Sequence, residues 1–366
     1  MADTSQLAAR FTPKDLKNLP NTRQMSAARF TPCGKYLIAA GQDALLHRWD
    51  AQGDAFTELA PIAGHHGWIQ DVVFEAAGAM ISADSWGGLQ CAPYAGDAVE
   101  AHWTNPVAHD GWIRSLAISP DGTLIATGGT DGHVRLWSRT DGSRRFDAQH
   151  ADPVFSVAFH PTGKSLVSGD LKGTVNQWDL SAVTTAGPVP EPGGVAPQPT
   201  RMLSAAPLYA LNRLQDVGGA RVLAFNADGT KLACGGTKPS VGGNVQGVPT
   251  VLVFDWAGGT VENTLELGDG GDVYVTDLRY HAEGFLMATV SGNPGAGKLV
   301  FRHPEDKQAF FETKKMPNCH SLSLHPQGQR LAVVATNANS NGNGRVKGDA
   351  GNYPGNWSPI YVMQLA

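Results

Sequence analysis

One motif recurs along almost the whole chain. Its best copy, His109–Trp137, reads HDGWIRSLAISPDGTLIATGGTDGHVRLW, and comparable segments stand at 24–50, 65–94 and 150–179. Three weaker copies follow at 220–256, 273–303 and 319–365. A unit of this length cannot bury its own faces, so the copies must stack on one another. Within each copy an alternating apolar run leads to a turn such as Pro120-Asp121-Gly122, where glycine accepts the positive φ that other residues resist. A second short strand (Leu124 to Thr127), a tight Gly/Asp turn and a third strand ending on an aromatic residue complete the unit. Between copies lies one more apolar segment, such as Ala55 to Pro61 or Gln308 to Lys315, which supplies a fourth strand.

The third-strand anchors fall at Trp49, Ala92, Trp137 and Trp178, spaced 43, 45 and 41 residues. That is the period of a four-stranded propeller blade. The later anchors Phe254, Phe301 and Met363 are spaced 76, 47 and 62 residues. The excess is accounted for by a Pro-rich insertion (181–200), a Gly-rich loop (237–250) and an Asn/Gly loop (336–358). Composition agrees: 44 glycines with only 17 % charged residues suit short strands and tight turns better than long solvated helices. No helix beyond short turns is expected.

On these residues the chain resembles the WD-repeat β-propellers over roughly 21–365. The carriers are Trp49-Asp50, Trp178-Asp179, Gly64-His65, Ser119-Pro120-Asp121-Gly122 and Asp131-Gly132. The resemblance implies an all-β fold, a seven-bladed propeller of four-stranded antiparallel blades. It also implies a buried tetrad of His, Ser/Thr, Asp and Trp. His109, Thr127, Asp131 and Trp137 match it in full; His150, Ser168 and Trp178 match in the next copy, with Lys172 where the Asp is expected. The last copy has no fourth strand of its own. The resemblance implies that residues 1–20 supply it and close the ring, with Leu7 to Thr12 as the strand. The hexapeptide AARFTP occurs both there, at 8–13, and again at 27–32.

Other chemistry is sparse. Lys+Arg 28 against Asp+Glu 33 gives a net charge of −5 with no basic block, which speaks against nucleic acid or anionic lipid as partner. Cys33, Cys91, Cys234 and Cys319 are scattered without CxxC pairing, against a disulfide framework or a zinc site. His65, His109 and His150 recur one per blade, which suits structural roles, so no metal and no cofactor is expected. Asn339, Asn341 and Asn343 have calcium-loop spacing, but Ala350 stands where the bidentate Glu is needed. The segment 291–298 ends in Gly-Lys without the Ser/Thr or helix of a phosphate loop. The Pro-rich 188–199 reads as a solvated insertion more than a polyproline ligand. With no apolar leader and no long apolar span, a cytoplasmic protein is expected.

A binding surface can also be placed. The inner strands align on the turn glycines Gly34, Gly78, Gly122, Gly163, Gly229, Gly284 and Gly328. The column eight residues earlier reads Ser26, Gln70, Arg114, Phe155, Arg221, Thr276 and His320; the column ten earlier includes Trp68, Trp112 and Tyr274. Period-two geometry puts both on one side of each strand at its entry end. The resemblance makes that end the top face around a central channel, where these residues would either contact a partner or plug the channel. The long loops at 237–250 and 336–358 are expected to rise from the same face. The implied function is a non-catalytic scaffold that binds partner proteins there. The alternatives are a propeller hydrolase or lactonase at the channel mouth, or a fixed structural subunit of one complex.

Overall fold

The computed structural model describes all residues except 1–3, 20, 77, 97–98, 184–196, 213–214, 241–245, 338–355 and 366. Its described strands form seven four-stranded antiparallel sheets and one separate hairpin. Each sheet is one blade. The inner strands are Met25–Phe30, Ile69–Phe74, Ile113–Ile118, Val154–Phe159, Val222–Phe225, Tyr274–Tyr280 and Cys319–Leu324, for blades 1 to 7 in that order. All seven aligned turn glycines after these strands have φ between +70° and +110°, which is why the turns need glycine. All seven anchors, Trp49, Ala92, Trp137, Trp178, Phe254, Phe301 and Met363, are buried on third strands.

Burial lies between the blades. Seven apolar clusters each draw residues from two neighbouring blades. Between blades 3 and 4, for example, Leu136 and Phe146 meet Val154 and Trp178. Polar latches cross the same seams. Ser115 Oγ accepts from Val157 N at 3.0 Å, and Asp277 Oδ2 accepts from Leu322 N at 3.0 Å. Such contacts satisfy backbone donors on inner strands that have no neighbour on their channel side.

The ring is closed from the N-terminal side, but not by the expected residues. Lys14–Leu19 pairs antiparallel with Ile360–Gln364 and becomes the fourth strand of blade 7. The segment 7–12, expected as that strand, belongs instead to an eight-residue helix, Thr4–Phe11. Leu7 and Phe11 are one helical turn apart and both are buried against the blade 6–blade 7 cluster; a helix sets them about 6 Å apart along its axis, close enough to share one seam, where a strand would spread them about 13 Å. Arg10 reaches Glu283 at 2.6 Å on its outer side. The expectation of no helix beyond short turns is corrected accordingly.

Two insertions also differ. The described residues of the Gly-rich 237–250 are mostly strand: blade 5 extends its middle pair to Lys231–Pro239 and Gly247–Asp255. After blade 4 a hairpin, Tyr209–Asn212 with Gln215–Gly218, precedes blade 5. Most of the Pro-rich insertion and of the Asn/Gly loop, with its calcium-like spacing, lies outside the described residues. No helix among the described residues is long and apolar enough to cross a membrane.

Candidate functional site at the channel mouth

The inner strands are not regular. In six blades the ladder to the second strand skips one residue, and the skipped residues are Ser26, Gln70, Arg114, Phe155, Thr276 and His320. In blade 5 Arg221 stands just ahead of the strand, its N–H bonded to Gly235 O at 3.0 Å. A bulge re-aims its side chain and bends the strand. Here the bulge column turns seven side chains onto one cavity of about 430 Å³ at the channel mouth. Thr336 and Ser358, the flanks of the Asn/Gly loop, line it as well.

The aromatic and arginine members of this rim form a continuous arc across blades 2 to 6. Trp68 and Trp112 meet edge to face with centroids 5.8 Å apart. The Arg114 guanidinium lies 4.8 Å from the Trp112 ring and 5.6 Å from Phe155. Arg221 lies 5.0 Å from Phe155 and 4.0 Å from Tyr274. Burial pulls both guanidiniums below the ordinary arginine value, though both stay charged. Thr276 is held by Thr289, and the His320 ring nitrogens lie 3.1 and 2.9 Å from the carbonyls of Asn318 and Met25. Gln70 reaches Trp68 O at 3.4 Å. Trp86 was not singled out from the sequence, yet among the described residues it is the most exposed large aromatic, 69 % accessible against 48 % for Trp68. It occupies the turn after the second strand of blade 2, which Ser85 ties to the backbone of Trp68. Its position in a top-face turn, SWGG, was the available signal.

Below the mouth, Arg29 spans the channel. It is buried and donates to Asp71 at 3.0 Å, Asp277 at 2.8 Å, Ser321 and Leu322 O, joining blades 1, 2, 6 and 7. Burial alone would lower this guanidinium, but the two carboxylates outweigh it and hold it above its ordinary value. The same contacts hold Asp277 below the usual carboxylate range despite its burial. Sequence reading missed Arg29 because nothing local distinguishes it; its partners are more than 40 positions away.

The tetrads lie between outer and inner strands, away from the channel. Trp137 Nε1 donates to Thr127 Oγ1 at 2.8 Å, Thr127 meets His109 Nε2 at 2.7 Å, and His109 Nδ1 meets Asp131 at 2.9 Å. Burial lowers His109 more than Asp131 raises it, so the imidazole is neutral and donates from Nδ1. Arg135 also holds Asp131, at 2.7 Å. In blade 4 Trp178, Ser168 and His150 repeat the chain, but the carboxylate comes from Asp170, 3.1 Å from His150 Nδ1. Lys172, placed there by alignment, points away to Asp152 at 2.9 Å. Blade 2 has the same relay without Trp: His65 joins Ser82 at 2.7 Å and Asp84 at 2.8 Å. Among the described residues, no group of three or more His, Cys, Asp or Glu is placed to hold a metal ion.

Comparison with known proteins agrees with this geometry. A family model described as "WD domain, G-beta repeat" matches residues 104–138 and 144–179. Each match runs from near the outer strand of one blade to the third strand of the next, so the sequence unit straddles two blades. Telomerase protein component 1 of Rattus norvegicus is 30 % identical over 227 residues, 62 % of this chain and 7 % of that protein. The chain thus spans a small part of the length of this relative.

Proposed function

The chain belongs to the WD-repeat β-propellers, and from that premise we infer a non-catalytic scaffold that presents its top face to partner proteins. The observation that carries this reading is the arc Trp68–Trp112–Arg114–Phe155–Arg221–Tyr274 around the channel mouth. Trp, Tyr and Arg dominate interface energetics because each buries a large rigid area at low entropic cost. Trp86 and Trp68 extend that surface outward. Of the other rim members, Gln70 offers a hydrogen-bonding amide at its inner margin, while Thr276 and His320 line it with their polar atoms already bonded within the rim. A hydrolytic reading is less well supported: both channel carboxylates, Asp71 and Asp277, are bound by Arg29, so neither is set up as a general acid or base. The rat relative is by its name a component of telomerase, in keeping with a subunit of a larger assembly. A cytoplasmic site of action completes the reading.

The test is affinity capture from native lysate with the double variant Trp112→Ala/Arg114→Glu, after its melting curve has matched wild type. The expected outcome is loss of the proteins that wild type recovers. A folded variant that captures the same set rules the channel-mouth surface out. Trp68→Ala/Trp86→Ala, at two exposed positions with little packing, repeats the test should the first pair disturb folding.

A further inference from the structure

We propose that the channel mouth takes an acidic segment of a partner protein, seating side-chain carboxylates on Arg114 and Arg221. The proposal rests on the scaffold reading and names the chemistry of its ligand. Charge within the channel is uneven. The Arg and Asp residues lining its two connected cavities are Arg29, Arg114, Arg221, Arg279, Asp71 and Asp277. Arg29 is paired with both carboxylates, and Arg279 lies 3.4 Å from Asp277. Two arginines are thereby balanced by two aspartates. Arg114 and Arg221 are left as two positive charges, in a chain whose net charge is −5.

What holds these two side chains also leaves them available. No ion pair among the described residues involves either one. They are fixed by ring faces: Arg114 on Trp112 and Phe155, Arg221 on Phe155 and Tyr274. Stacking occupies the flat face of a guanidinium rather than its N–H edge, the edge that binds a carboxylate through two parallel hydrogen bonds; on Arg221 the Tyr274 hydroxyl is the one side-chain acceptor at that edge among the described residues. Arg221 Nε is buried and has no hydrogen-bond partner, an orphan donor of the kind a ligand satisfies. Phe155 touches both arginines and so fixes their spacing. Desolvation at the mouth strengthens attraction for an anion relative to open surface. The cavity of about 430 Å³ has room for a few inserted side chains. A nucleic-acid strand needs a basic track along several phosphates, whereas here two guanidiniums converge at one point.

The test uses the full chain and three fluorescent probes: a Gly/Ser decapeptide with two adjacent Glu, the same peptide with Gln, and a twelve-nucleotide single-stranded RNA. Binding is measured by anisotropy at low and physiological salt. The Glu peptide is expected to bind at least about tenfold tighter than the Gln peptide. Arg114→Gln/Arg221→Gln should abolish that preference, while Arg279→Gln should keep it. Equal binding of the two peptides, no binding of the Glu peptide, a preference that survives the double Gln variant, or tighter binding of the RNA would each overturn the proposal. Such a failure would leave the scaffold reading standing if Trp112→Ala/Arg114→Glu still loses its partners, because that experiment reads the whole rim irrespective of charge.

Discussion

Asp131 shows how much of one blade depends on a single carboxylate. It receives His109 and Arg135 and takes the backbone N–H of His133 at 3.1 Å. Although burial opposes it, these contacts hold its pKa well below the usual carboxylate range; Asp84, with the same role in blade 2, is lowered to about 2. A carboxylate depressed in the fold stabilises fully above its unfolded pKa near ~4 and loses that contribution as pH falls toward the folded value. His109, depressed by burial, adds a gentler loss starting below ~6.5, where the unfolded imidazole gains its proton. Asp131→Ala should therefore cost about 1–3 kcal/mol at pH 7 by stranding its donors, and the variant should lose less stability than wild type between pH 5 and pH 3. Calorimetric melts at pH 7, 5 and 3 check both; an unchanged midpoint at neutral pH would mean the network carries no weight. The relay of blade 3 was readable because its residue spacing is regular. That of blade 4 was misread at one position, because a side chain two residues earlier can reach the same point when it projects from the strand end, as Asp170 does.

At the scale of elements, the hexapeptide that occurs twice is the most instructive case. Ala8–Phe11 is helical and Ala27–Phe30 is the inner strand of blade 1, with identical residues. Local propensity cannot decide between them; the surface each must cover does. Near the N-terminus Leu7 and Phe11 cap a seam from outside, while Ala27, Ala28 and Phe30 fill interfaces on both sides of a blade. The closing strand was thus expected in the right twenty residues and assigned to the wrong six. Deleting residues 1–18 removes both the cap and most of the outer strand of blade 7. Loss of Leu7 and Phe11 alone, at about 1.5–3 kcal/mol for each large apolar side chain buried, should lower the midpoint of a chain this long by about 4–8 °C; a melt within a degree or two of wild type would show that closure adds nothing. The bulges were illegible for a different reason. Strict alternation was assumed, and a one-residue offset in the ladder leaves the sequence pattern unmarked, yet it is what turns the column onto the channel.

Across the whole molecule, period and turn chemistry sufficed to number the blades, because each interface demands the same apolar anchors and the same left-handed glycine. Contacts that span the ring left no such trace. Arg29 is the clearest: it draws four blades together through Asp71, Asp277, Ser321 and Leu322. Removing one partner of a buried charge network leaves the others unpaired. Arg29→Ala should cost about 3–5 kcal/mol and lower the melting midpoint without disturbing any one blade's strands. Combining it with Asp71→Asn and Asp277→Asn should recover part of the loss. Chemical denaturation of the single and triple variants measures this, and equal stability of wild type and Arg29→Ala would deny the network its role.

The seam in blade 7 has a mechanical consequence. Lys14 lies opposite Gln364 and Leu19 opposite Ile360, so the segment that enters the first strand and the one that leaves the second lie at the same end of the pair. A load drawn across those two segments would part the strands one hydrogen bond at a time, as a zipper opens, instead of shearing the ladder as a unit. The helix Thr4–Phe11, docked against the blade 6–blade 7 seam beside that end, is the first clasp such a load would have to lift before the strands part.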